Sequence, residues 1–185
     1  NPDTWDVNSG DRFTAEELLE KAIRFKPYFK SSGGGITCSG GEPLLQPDFF
    51  IEFLKLCKKN DLHTVIDTAG FGNGRYEEIL EYTDLVLLDI KHITEKGYRE
   101  LTGRTPEEFW RFVEALRKTN KPIWIRHVVV PGITDGKAHI EKLNKFIDEF
   151  DNVEKVELLP YHVLGVNKYR EMDIPYRLDG IDPMS

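Results

Sequence analysis

The feature that most constrains this chain is an alternation. Five short runs rich in aliphatic and β-branched residues are separated by segments of helical period. The runs are GGITCS (34–39), HTVIDT (63–68), LVLLDIK (85–91), PIWIRHVVVPG (122–132) and VEKVELLPYH (153–162). Several are nearly unbroken in apolar residues, as strands covered on both faces are. Between them lie amphipathic patterns with start signals. TAEELLEKAIRF starts with Thr14 and has Glu17 three residues on, a capping box, and Pro47 sits at a first helical position in QPDFFIEFLKLCKKN. TPEEFWRFVEALRKTN repeats both devices with Thr105, Pro106 and Glu108, and Ile140, Leu143, Phe146, Ile147 and Phe150 make one stripe. The order βαβαβ predicts an α/β fold with a parallel sheet and right-handed crossovers. Five strands are too few for a closed eightfold barrel. A doubly wound sheet and an incomplete (β/α) barrel both stay open on pattern alone.

Length and composition narrow the class further. A chain of 185 residues can bury one sizeable core, and no linker or low-complexity stretch divides it, so residues 1–185 read as a single domain. The net charge of −7 argues against a nucleic-acid partner or an anionic membrane surface. No apolar run is long enough to span a bilayer, and no signal peptide opens the chain. Cys38 and Cys57 are the two cysteines; they form no C-x-x-C pair, so a reducing, cytoplasmic setting is the default.

The polar residues choose one end of the strands. Ser39 to Glu42, Asp67 and Thr68, Asp89 and Lys91, and His162 each stand on a carboxyl side, and Arg126 and His127 interrupt an apolar strand. In parallel α/β folds that end carries the ligand site. The stretch GGGITCSGGEP is a near miss to a phosphate loop: Gly41 and Glu42 stand where Lys and Ser/Thr belong. A bare backbone beside a carboxylate suits a cationic group such as an ammonium better than a triphosphate; alone, the glycines would simply make a tight turn. Asp67 and Asp89 end consecutive strands, where two carboxylates repel unless a proton or a cation, Lys91 or a metal ion, sits between them; otherwise one of them merely caps the next helix. His162 is placed to stack on or hydrogen-bond a heterocycle, or else it is a surface histidine. His63, His92, His127 and His139 lack metal-ligand spacing and read as structural, and Cys38 reads as a small buried hydrophobe.

Taken together, GGGITCSGGEPLLQPDFF, IDTAGF, LVLLDIKH, IWIRHVVVPGITD and NVEKVELLPYHVLG resemble the pyruvate formate-lyase activating enzymes, a family of glycyl-radical-enzyme activases in the radical S-adenosylmethionine (radical SAM) superfamily. The resemblance runs from Asn1 to about Asp182. It implies an incomplete (β/α) barrel of six parallel strands, of which five are visible and the first is missing. It implies that Gly40, Gly41 and Glu42 hold the methionyl ammonium of S-adenosylmethionine. Asp67, Asp89, Ile90 and Lys91 would line its amino-acid end, with Lys91 facing the carboxylate; His162 would meet the adenosine, and Arg126 is a weaker carry-over. Asp67, Thr68, the backbone of Leu87, and Asp89 resemble a monovalent-cation site.

The family's C-x-x-x-C-x-x-C motif, which ligates a 4Fe-4S cluster, usually stands just before NPDTW or a near relative. Here NPDTW is Asn1 to Trp5, so the resemblance places the cluster ligands upstream of Asn1 and implies a domain trimmed at both ends, with no catalytic residue of its own and no activity alone. For the parent protein it implies an anaerobic cytoplasmic oxidoreductase. That enzyme cleaves S-adenosylmethionine reductively, takes electrons from a flavodoxin- or ferredoxin-type donor, and abstracts a hydrogen atom from a backbone glycine of pyruvate formate-lyase. The absence of further cysteines between Trp5 and Gly33 favours that branch. The alternatives are an activase of another glycyl radical enzyme, or a non-catalytic S-adenosylmethionine-binding fragment.

Overall fold

The structure, a computed structural model, describes residues 11–184 apart from the side chain of Lys168; NPDTW lies outside the described residues. Chain order runs α1 (Ala15–Ile23), α2 (Lys26–Ser32), β1 (Ile36–Cys38), a single 3₁₀ turn (Pro43–Leu45), α3 (Pro47–Lys59), β2 (Thr64–Thr68), α4 (Tyr76–Glu81) and β3 (Leu85–Asp89). It continues through α5 (Glu95–Thr102), α6 (Glu107–Arg117), β4 (Ile123–Val129), α7 (Lys137–Ile147), β5 (Val153–Pro160) and α8 (Val166–Glu171). The strands are all parallel and lie in the order β1-β2-β3-β4-β5. A doubly wound sheet needs a reversal of strand order, and this sheet has none. Among the described residues β1 and β5 each have one neighbour, so the sheet they form is open, an incomplete barrel.

Strand alternation sorts the two faces. Ile66, Val86, Leu88, Ile90, Ile123 and Ile125 are fully buried and join Leu54, Ile79, Leu80, Phe109, Phe112 and Leu116 of the helices in one core. The intervening residues Asp67, Leu87, Asp89, Trp124 and Arg126 are half-buried on the other face. The runs that look continuously apolar in sequence are therefore covered by helices on one side only. Each fully buried aliphatic or aromatic side chain contributes about 1.5–3 kcal/mol, so this one-sided core is sufficient to hold the sheet.

The start signals act as written at two of three helices. Thr14 Oγ1 accepts from Glu17 N at 3.2 Å while Glu17 Oε2 accepts from Thr14 N at 2.8 Å, a complete capping box. Pro47 opens α3, which buries Phe50, Ile51, Phe53, Leu54 and Cys57. The box expected at Thr105 does not form. Pro106 takes the cap position without a side-chain bond, and Glu108 turns instead to Arg111 and Tyr76.

Candidate functional site

The carboxyl ends of β1, β2 and β3 open into a cleft of about 340 Å³, within the range of small-molecule sites. Gly41, Glu42, Asp67, Thr68, Asp89 and Lys91 line it, as their strand-end positions predict. Gly40 adjoins it and lines the neighbouring apolar groove along β1. Ile90 is buried in the core and is not among the lining residues. Leu87 and Arg126 lie on the same sheet face, since Leu87 pairs with Asp67 and Arg126 with Asp89. His162 is exposed at the end of β5 and is not among the lining residues.

The turn after β1 is built on two left-handed glycines, Gly40 at φ 90° and Gly41 at φ 57°. A Cβ on either would meet nothing within 4 Å, so both backbones are open to a ligand. Glu42 anchors this turn. Its Oε1 accepts from Thr68 Oγ1 at 2.6 Å and from Leu44 N at 3.3 Å, and its Oε2 accepts from Ala69 N at 2.9 Å. Burial pushes its carboxyl above the ordinary range, against the pull of those donors. The carboxylate thus ties the glycine turn to the end of β2. Glu42→Gln offers one acceptor where three donors converge, and either amide orientation sets N–H against N–H. We expect a loss of about 1–3 kcal/mol in denaturant unfolding. Unchanged stability would show that the anchor is dispensable.

The two aspartates pair with different cationic side chains. Lys91 Nζ bonds Asp89 Oδ2 at 2.8 Å, whereas Arg126 reaches across β3 to pair with Asp67 Oδ1. The expected placement of Lys91 between them is corrected by that reach, which follows from the register of Arg126 opposite Asp89. Ser39 Oγ stands 3.5 Å from Asp67 Oδ2. Asp89 Oδ1 and Arg126 Nε are buried without a hydrogen-bond partner. The Thr68 hydroxyl is engaged by Glu42 and by Gly70 N at 2.8 Å, so it is not free to face a cation. Among the described residues no group of three His, Cys, Asp or Glu side chains could hold a metal ion. Burial pushes the Cys38 thiol up to about 12 and Cys57 to about 11, so both behave as small apolar side chains.

Five further residues of the cleft were not singled out from sequence: Ala69, Phe71, Tyr98, Thr102 and Arg104. The Arg104 guanidinium stands 4.5 Å over the Phe71 ring at the rim. Three of them belong to α5 or its end. Thr94, whose hydroxyl caps Gly97 N, and left-handed Gly103 bracket that helix in the manner sequence rules recognise.

Under the β3 exit lie His92, His127 and His139. Burial holds all three below the ordinary histidine value of 6.5, His139 at about 4. The unfolded chain therefore takes up these protons first. Their stabilising contribution is complete above about pH 6.5 and is lost as pH falls toward 4. Glu42, with its raised carboxyl, acts in the opposite sense. Asp89, Lys91, Glu100 and Lys142 are the charged groups felt by the cluster. Calorimetry from pH 7 to 5 should show a falling Tm, with a shallower slope in His139→Leu; equal slopes would count against the histidines as its source.

A match to the model of the Radical SAM superfamily covers residues 1–147. The chain is 56% identical over 184 residues to the pyruvate formate-lyase-activating enzyme of Clostridium pasteurianum, covering 100% of this chain and 77% of that protein. It is 46% identical over 191 residues to the enzyme of the same name from Staphylococcus epidermidis, covering 99% and 76%. The chain belongs to the pyruvate formate-lyase-activating enzyme family of radical SAM proteins. That family's superfamily uses S-adenosylmethionine and a 4Fe-4S cluster. The fold agrees. A domain of a pyruvate-formate lyase-activating enzyme from Bacteroides vulgatus superposes with TM-score 0.65 at 24% identity, covering 83% of this chain and 86% of that one. Streptococcus suis SuiB bound to S-adenosylmethionine gives TM-score 0.63 at 16% identity, covering 91% and 41%. No described helix is long and apolar enough to cross a membrane.

Proposed function

We propose that the cleft binds S-adenosylmethionine, and that in the activating enzyme it presents this cofactor to a backbone glycine of pyruvate formate-lyase. The observation that carries the reading is that the Asp89–Lys91 pair lines one cleft with Gly41, in a turn whose two glycine backbones are open. An amino-acid end is the ligand chemistry that fits. Gly40 and Gly41 offer backbone groups to the ammonium, with Glu42 holding the turn. Lys91 takes the carboxylate. Asp67, Thr68, Asp89 and the backbone of Leu87 would hold a monovalent cation. When bound and reduced, S-adenosylmethionine supplies a hydrogen-abstracting carbon radical by one-electron cleavage of its sulfonium. The chain's part is to orient the cofactor, keep water from it and balance its charges. Ile90 anchors the segment between Asp89 and Lys91 in the core, Arg126 holds Asp67, and His162 meets the adenosine once the cofactor is seated.

A 4Fe-4S cluster does not fit these residues. It needs three thiolates held together, and the 185 residues contain two cysteines, both buried enough to favour the protonated thiol. A polypeptide of these residues alone, given iron and sulfide anaerobically and then reduced, should yield no 5′-deoxyadenosine by chromatography. Joined to three suitably spaced cluster cysteines, it should yield that product and a glycyl-radical signal on pyruvate formate-lyase by electron paramagnetic resonance. Product without that signal would remove the assigned protein substrate. In an anaerobic cytoplasm a flavodoxin or ferredoxin would supply the electron.

A further inference from the structure

We propose that His127 is a positioning residue that fixes the Ile90 carbonyl through its Nδ1–H, with its ring held in that tautomer by His139, and so sets the direction in which Asp89 and Lys91 enter the cleft. The inference rests on the cofactor reading above and assigns it a support that lies outside the cleft. His127 is fully buried on the helix-covered face of β4. Its Nδ1 is 2.6 Å from Ile90 O, an atom that can only accept, so the proton of this bond is on His127. The neutral ring then has a bare Nε2. His139 Nε2, on the first turn of α7, lies 3.1 Å from it and must carry the proton of that second bond. The two rings stack at 5.1 Å with 21° between planes.

The other side of the same peptide segment is also held. Ile90 N donates to Arg126 O at 2.9 Å, so residue 90 is gripped at its amide by the backbone next to His127 and at its carbonyl by the His127 ring. Asp89 and Lys91 are its immediate neighbours, and their side chains pair at 2.8 Å on the cleft side. His92 closes the cluster from above. Its Nδ1 accepts from Thr94 N at 3.1 Å, its ring lies 4.6 Å from that of His139, and a Cβ on Gly97 would come within 2.0 Å of it. His92 thus packs against His139, the ring that bonds His127 Nε2. A strand carbonyl at a parallel-sheet exit ordinarily bonds to the next strand's amide or to water; here a side chain does it, from beneath the site.

The bond pattern is tested by long-range proton–nitrogen NMR of the histidine rings. The proposal expects His127 protonated at Nδ1 and His139 at Nε2; a His127 ring protonated at Nε2 overturns it. Function is tested in the cluster-bearing activating enzyme with two substitutions of similar disruption. Asparagine places its side-chain N–H where His127 Nδ1 stands, and glutamine places its own nearer Nε2. Both should lower Tm. S-Adenosylmethionine affinity should stay within about threefold in His127→Asn and weaken about tenfold in His127→Gln, the size of one lost hydrogen bond. Equal weakening in both overturns the proposal in favour of a packing role. If the wild-type enzyme bound no S-adenosylmethionine, the cofactor reading would fall. His127 would then be judged by hydrogen exchange at the Ile90 amide: protection lost in His127→Gln but kept in His127→Asn supports positioning, and equal loss overturns it.

Discussion

Lys91→Met is expected to weaken S-adenosylmethionine binding by about 30- to 150-fold, the roughly 2–3 kcal/mol of a charge-assisted bond lost in a partly closed site. The lysine does two jobs that this substitution removes together. It neutralises Asp89, whose side chain is 18% exposed and whose other oxygen is already without a partner. In the proposed complex it also meets the carboxylate of the cofactor. Loss of the first job alone would lower stability, because a buried carboxylate would be left with no partner at either oxygen. The double variant Asp89→Leu/Lys91→Met separates the two. It removes the stranded charge and should recover most of the stability seen by denaturant unfolding. Binding measured by calorimetry on the cluster-bearing enzyme should stay lost. Recovery of affinity along with stability would make the pair a structural one, and the cofactor's carboxylate would need another partner.

The sequence makes some of this site readable and hides the rest for physical reasons. Gly41, Glu42, Asp67, Asp89 and Lys91 could be placed because a parallel sheet brings its strand ends together whatever the helices do. What each side chain bonds to depends on register across strands, which no local spacing encodes. Glu42 finds its donors at Thr68 and Ala69, on the next strand. Arg126 passes over β3 to reach Asp67. His127, a structural histidine by its spacing, bonds Ile90 and is locked by His139 across a helix–sheet contact. Short helices were hidden for a different reason. α4 has six residues and begins at left-handed Arg75 with no side-chain cap, too brief for a period and without a start signal. At α6 the Thr–Pro–Glu signal was present, yet Glu108 found Arg111 and Tyr76, showing that a capping pattern competes with tertiary partners.

The cleft also depends on packing that lies well behind it, and Phe112→Ala should show how much. Phe112 is fully buried on α6 and meets the Tyr76 ring edge-on at 5.4 Å. Its ring and that of Phe109 press against Gly70, where an added Cβ would come within 3.2 Å and 3.0 Å of them. Gly70 follows Thr68 and Ala69, the two residues that hold Glu42, and its own N–H bonds the Thr68 hydroxyl. Truncation to alanine removes a phenyl ring from a core too constrained by the sheet to collapse fully. The expected destabilisation is about 3–5 kcal/mol, read from the shift of the unfolding midpoint at constant slope. The void opens beneath the β2 exit, so the Glu42 anchor should loosen with it. Hydrogen exchange at the Ala69 and Gly70 amides should then quicken by more than the global loss of stability explains, while exchange in β4 follows the global loss alone. Uniform acceleration throughout the sheet would mean that the core supports the fold as a whole and gives the glycine turn no particular backing.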